Sequence, residues 1–156
     1  MTTEHKVFIG IGLATILILV GGVSLLSLQQ SKEASVPERQ VVSPNGIHWH
    51  PRLTILIKGE KQEVSANIGI GGVHQPIHTH DTSGTLHLEV NGLVTKDEIE
   101  LGRFFQIWGK EFNSTAILGK KNGSEGSVKM SVNGKENKDF ENYLMKDKDN
   151  IEIRYE

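Results

Sequence analysis

Two hydrophobic patterns divide the chain. Residues 7–28, VFIGIGLATILILVGGVSLLSL, form an unbroken apolar run without a charge. As a helix it is long enough to span a hydrocarbon core of roughly 30 Å. A cleaved signal peptide would have a shorter apolar region, about 7 to 15 residues, ending in a small-x-small cleavage site, and Ser24-Leu25-Leu26 supplies no such site. The run therefore predicts an uncleaved single-pass anchor in the cell membrane, contacting the lipid bilayer through residues 7–28, with residues 1–6 as a short tail. Lys6 lies on one flank, and Lys32 is offset by Glu33 on the other. This small bias favours an N-terminus inside and the rest of the chain on the extracytoplasmic side. Residues 29–44, QQSKEASVPERQVVSP, lack an apolar period, contain two prolines and read as a polar linker.

From residue 45 to 156 the pattern changes to short alternations. In 47–57, Ile47, Trp49, Leu53, Ile55 and Ile57 share one parity, while His48, His50, Arg52 and Thr54 share the other. That predicts one strand with both histidines on its polar face. Lys58-Gly59-Glu60 supplies a turn, 63–68 a partner strand and 68–73 a glycine-rich connection. In 74–90, HQPIHTHDTSGTLHLEV, a four-residue turn at Asp81-Thr82-Ser83-Gly84 sets residue 80 opposite 85 and His78 opposite His87. His80 and Glu89 then share their face, while Leu86, Leu88 and Val90 point into a core. Thr95-Lys96-Asp97-Glu98 has the form of a capping box ahead of a helix carrying Ile99, Leu101, Phe104, Phe105 and Trp108 on one face and ending at Gly109. A loop is expected over 120–127, strands over 128–132 and 151–155, and a turn at Asn133-Gly134. Hairpins, one helix and late strands predict an α+β class: a mostly antiparallel β domain with one helix, β-grasp-like, with a β-sandwich as the alternative.

Charge and composition narrow the chemistry. Seventeen Lys and Arg stand against 19 Asp and Glu, a formal charge of -2, so no basic excess exists to neutralise a phosphate backbone, and nucleic acid is not the expected partner. Cysteine is absent, which removes disulfides, thiolate metal sites and thiol nucleophiles together. Oxygen and imidazole remain, and six of the seven histidines fall after residue 45. Same-face imidazoles two residues apart on a strand are separated by roughly 7 Å, close enough to lean toward one ion at about 2.0 to 2.1 Å. His48, His50, His78, His80 and His87 are thus the candidate ligands for a copper or zinc ion. Glu89 and Asp81 are candidates for orienting the imidazoles, with a solvated place on the polar face as the other role for Glu89 and capping of the turn as the other role for Asp81. His74 has no register argument behind it, and His5 lies outside the domain. Asn113-Ser114-Thr115 and Asn122-Gly123-Ser124 have the form of glycosylation acceptors.

Several of these segments together resemble a family of small membrane-anchored bacterial and archaeal proteins of unassigned function. The resemblance rests on His48-Trp49-His50, on His78-Thr79-His80-Asp81-Thr82-Ser83-Gly84 with His87-x-Glu89, on Leu101-Gly102-Arg103-Phe104-Phe105 with Trp108-Gly109, and on Val132-Asn133-Gly134-Lys135. It implies a shared site without implying a reaction. Some relatives carry a cysteine shortly before the His-Thr-His-Asp segment; this chain has none, so no thiolate role transfers to it. Three functions follow as expectations: a membrane-tethered metal-binding domain, a three-histidine metal hydrolase or hydratase in which Glu89 assists proton transfer, or an interaction subunit docking through a β edge to a larger membrane complex.

Overall fold

The computed structural model describes residues 40–156. The apolar run at 7–28 and most of the linker lie outside the described residues. Among the described residues, no helix is long and apolar enough to cross a membrane.

The first half of the domain contains β1 (Val41–Ser43), β2 (Ile47–Trp49), β3 (Arg52–Ile57), β4 (Glu60–Gln62), β5 (Ile77–His78), β6 (His87–Val90) and β7 (Val94–Thr95). A 3-10 turn at Lys96–Glu98 then leads to α1 (Leu101–Trp108). Beyond it come β8 (Phe112–Asn113), β9 (Ala116–Ile117), β10 (Lys120–Lys121), β11 (Val128–Val132), β12 (Lys135–Glu136), a second 3-10 turn at Phe140–Asn142, and β13 (Asn150–Tyr155). The main sheet has the order β12-β11-β13-β3-β4, and β2-β6-β5 form a second, three-stranded sheet. Every pairing is antiparallel except β13 with β3, which run parallel from Asn150↔Arg52 to Tyr155↔Ile57. The described domain is therefore α+β and rich in mostly antiparallel strand, with a single α-helix.

Several boundaries differ from the sequence expectation, each for a local reason. The alternating run 47–57 is two strands in two sheets, because Pro51 has no N–H to give a ladder and biases the residue before it. At the break, the His50 N–H is held by the Asp147 carboxylate at 2.9 Å, and Arg52 N–H by the Asp149 carbonyl at 2.8 Å. The partner of β3 is β4 at Glu60–Gln62 rather than 63–68. Lys58 and Gly59 both have positive φ, 52° and 84°, making a two-residue turn that starts pairing at once with Ile57↔Glu60. Residues assigned to the linker also fold: β1 begins at Val41 and pairs with β7. The capping box forms as expected at Thr95 and Glu98, but the helix does not run straight on from it. Ile99 and Glu100 pair with the 143–145 segment through Leu101 N–H to Tyr143 O at 2.9 Å and Met145 N–H to Ile99 O at 3.0 Å. The Asn122 amide is used inside the fold, donating to Ser114 O and accepting from Val128 N–H.

The core lies between these layers. Leu53, Ile55, Ile151 and Ile153 of the central parallel pair meet Ile77, Leu86 and Leu88 of the second sheet and Leu101, Phe104 and Phe105 of α1, all at most 1% exposed. Each such side chain removed from water contributes about 1.5 to 3 kcal/mol. The loop after the second 3-10 turn is held by buried Asp149, whose carboxylate accepts from Tyr143 Oη at 2.7 Å, Asn133 Nδ2 at 2.9 Å and Lys146 N–H at 2.9 Å. Burial first, and then this acceptor, push the Tyr143 phenol well above its ordinary value.

The turn between β5 and β6 is fastened to β3 by Gly84, whose carbonyl accepts from Leu53 N–H at 2.8 Å. Gly84 has φ of 85°, and a Cβ there would stand 2.3 Å from Leu53 O. Gly84→Ala combines left-handed strain with that collision, and is expected to lower the unfolding free energy by about 2 kcal/mol or more. A urea midpoint equal to wild type would contradict this account of how the second sheet is anchored.

Candidate metal centre

The second sheet presents one apolar and one imidazole face. Its register pairs Ile47↔Val90, His48↔Glu89 and Trp49↔Leu88 on one side of β6, and Ile77↔Leu88 and His78↔His87 on the other. Leu88 and Val90 are buried on the core side, so strand alternation sends His87 and Glu89 to the opposite side, with His48 and His78 as their cross-strand neighbours.

His78 is the anchor of this face. Its ring is only 1% exposed because residues 68–75 wrap over it. Thr79 N–H donates to Ile68 O at 3.0 Å, Ile68 N–H to Thr79 Oγ1 at 3.0 Å, and Gln75 N–H to Gly69 O at 2.9 Å. Gly69 is required for the approach: φ is 73°, and a Cβ would lie 3.2 Å from His78 Cβ and 2.6 Å from Ile77 O. The glycine-rich segment read from the sequence as a connection is thus the cover of the site. His78 Nδ1 lies 3.1 Å from Gln75 O. A carbonyl only accepts, so Nδ1 carries the proton and Nε2 presents a lone pair. That Nε2 is buried and has no hydrogen-bond partner among the described residues.

Glu89 lies in front of this lone pair. Its Oε1 is 3.2 Å from His48 Nε2, 3.9 Å from His78 Nε2 and 3.9 Å from His87 Nδ1. The sequence reading left Glu89 as a solvated face residue or an acceptor orienting an imidazole; in the structure its carboxylate lies within reach of three imidazole nitrogens and is half-exposed. His78, His80, His87 and Glu89 each place a donor atom within 4.8 Å of the other three, and a second group, His48, His50 and His87, does the same. Ligands at 2.0 to 2.1 Å around a tetrahedral ion are about 3.4 Å apart, so inward shifts of at most about 1 Å per donor would close either group on a cation.

All five histidines singled out in the sequence meet around His87. Its ring is 4.5 Å from His80, 4.8 Å from His50 and 5.4 Å from His78, centroid to centroid. His50 gets there from the Pro51 break and not from a continuous strand. His74 joins as well, its ring centroid 4.2 Å from that of His78. Asp81 faces the turn, where its Oδ1 accepts from Ser83 N–H at 2.8 Å. The hydrogen bonds from Ser83 hold its carboxyl below the ordinary range. A cleft of about 460 Å³ beside the covering loop is walled by Gly69, Ile70, Val73, Gln75, Arg103 and Ile107, with no histidine in its lining.

Burial lowers the pKa of both His78 and His87 below the ordinary 6.5, and neighbouring imidazoles push the same way. The folded domain therefore holds fewer protons than the unfolded chain near pH 6.5 and below. The resulting stability is fully present above that unfolded value and is lost as pH falls toward the lowered folded values. The metal-free protein should melt at progressively lower temperature as pH drops from about 6.5 toward 5, and His78→Gln should flatten that slope. A melting temperature constant across this range would refute the assignment. No family model, curated protein or solved structure matches the chain.

Proposed function

We propose that this protein is a membrane-tethered metal-binding domain that holds one copper or zinc ion through His78, His80, His87 and Glu89. The observation that carries the reading is the buried His78 Nε2, left without a partner while Nδ1 is fixed on Gln75 O. A carbonyl behind the distal nitrogen fixes the tautomer and turns the lone pair toward an ion, the arrangement typical of metal-ligating histidines. Without a ligand, a buried unsatisfied nitrogen costs about 1 to 3 kcal/mol. Imidazole with a carboxylate and no thiolate suits zinc and copper(II).

The tether rests on the uncharged run at 7–28, and membership of the membrane-anchored family on the histidine motifs. The main sheet supports a β-grasp-like reading of the fold: β4 on one side and the β11-β12 hairpin on the other flank a central β3·β13 parallel pair, with α1 between the β3-β4 and β11-β12 hairpins in sequence. The hydrolase reading gave Glu89 a proton-transfer role, whereas its position among the imidazole nitrogens favours direct ligation.

The test is elemental analysis of the full chain, purified in detergent without a histidine tag and loaded with copper(II) or zinc. About one tightly held ion per chain is expected. His78→Ala should weaken binding by at least the roughly 10- to 100-fold that loss of a group behind a ligand costs. Tight stoichiometric metal in His78→Ala would defeat the proposal.

A further inference from the structure

The donor groups outnumber what one ion needs, and they are arranged in two sets that meet at a single residue. The inner set is His78, His80, His87 and Glu89; the outer set is His48, His50 and His87. His48 is 64% exposed on its side chain, His87 21% and His78 1%. Exposure thus falls from His48 through His87 to His78, the one buried donor; His80 and Glu89 of the inner set are exposed.

We propose that His48, His50 and His87 form an outer landing position, from which an ion passes to the inner position by ligand exchange around His87. The inference rests on the inner set being a metal site, and adds how that site is loaded and unloaded. An ion still partly held by a carrier meets exposed imidazoles more readily than a ring enclosed by residues 68–75. His48 and His50, with centroids 4.7 Å apart, supply two donors while the carrier's ligands depart. His87 belongs to both sets, so its ring stays beside the ion while His78 and His80 replace His48 and His50. Glu89 takes part in the same exchange: its Oε1 rests nearer His48, at 3.2 Å, than His78, at 3.9 Å. Movement toward an inner ion releases His48. Simultaneous occupancy is opposed because two divalent ions repel with four times the energy of unit charges at the same separation. The partner this surface fits is a donor or acceptor of an aqueous divalent or cupric ion.

The test is stopped-flow transfer of copper(II) from its nitrilotriacetate complex to the full chain in detergent, and its removal by excess chelator. In the double variant His48→Ala/His50→Ala, final stoichiometry should equal wild type, while uptake and removal both slow by about tenfold. In His78→Ala, residual weak copper(II) should show nitrogen ligation in its electron paramagnetic resonance spectrum, and adding His48→Ala/His50→Ala should weaken that binding further; no further weakening would overturn the outer position. Unchanged transfer rates at unchanged stoichiometry would overturn the landing position and leave the metal site standing. Loss of the tightly held ion in the double variant would also overturn it, showing one merged site. A wild-type chain that takes up no copper(II) would remove both this inference and the function beneath it.

Discussion

His78 is an imidazole placed where the fold would otherwise put a hydrocarbon, and the domain satisfies only half of its polarity. Gln75 O takes the Nδ1 proton, and residues 68–75 close over the ring. Much else follows from holding that ring still. The two-residue ladder Ile77↔Leu88 and His78↔His87 ties β5 to β6, and Thr79, itself fully buried, ties β5 to the covering loop through its hydroxyl, which donates to Ser65 O and accepts from Ile68 N–H. Gly69 permits the cover to approach and Gly84 permits the turn to dock on β3. One constraint, a dry imidazole with one free nitrogen, thus organises loop, ladder and turn.

The imidazole face is also held from the side of the main sheet. Pro51 ends one strand and lets the next begin in another sheet, so 47–57 feeds both layers. His50 at that break is positioned by Asp147, and the same loop is fixed two residues later by Asp149, with bonds to Tyr143, Asn133 and Lys146. Histidines from three separate segments therefore converge beside a main sheet whose central strands are the parallel pair β3·β13.

What could be read from the sequence was the part governed by local rules. The His78↔His87 register followed from leucines filling the alternate parity, a short-range signal, but the expected four-residue turn with residue 80 opposite 85 does not form: the ladder ends at His78↔His87, and Thr85 bridges Arg52 instead. The helix end at Gly109 was equally visible: the residue is left-handed, with φ of 67°. Pro51 was visible too, but periodicity on both sides of it outweighed the missing N–H, and two strands were read as one. The β4 position depended on two consecutive positive φ values, one at Lys58, which composition does not announce. The cover over His78 was illegible because a glycine-rich loop carries no partner information; only the close approach at Gly69 shows why glycine is needed. Glu89 was left between a solvated and an orienting role because sequence gives its face and not its distance to each nitrogen.

The free nitrogen links stability to binding. In the metal-free fold, burying His78 Nε2 without a partner costs about 1 to 3 kcal/mol, and the lowered pKa of His78 shows that protonation is no escape near neutrality. An ion bound only by the folded state adds RT ln(1 + [M]/Kd), about 2.7 kcal/mol at a hundred times Kd. An ion at the inner position would give His78 Nε2 the partner it lacks. His48 and His50 are exposed and bear little of that burial cost. An ion at the outer position therefore gains ligation without relieving His78, whereas inward movement gains both. That difference gives the exchange around His87 a direction, toward the buried ring, and makes release depend on a competitor strong enough to leave His78 unpartnered again.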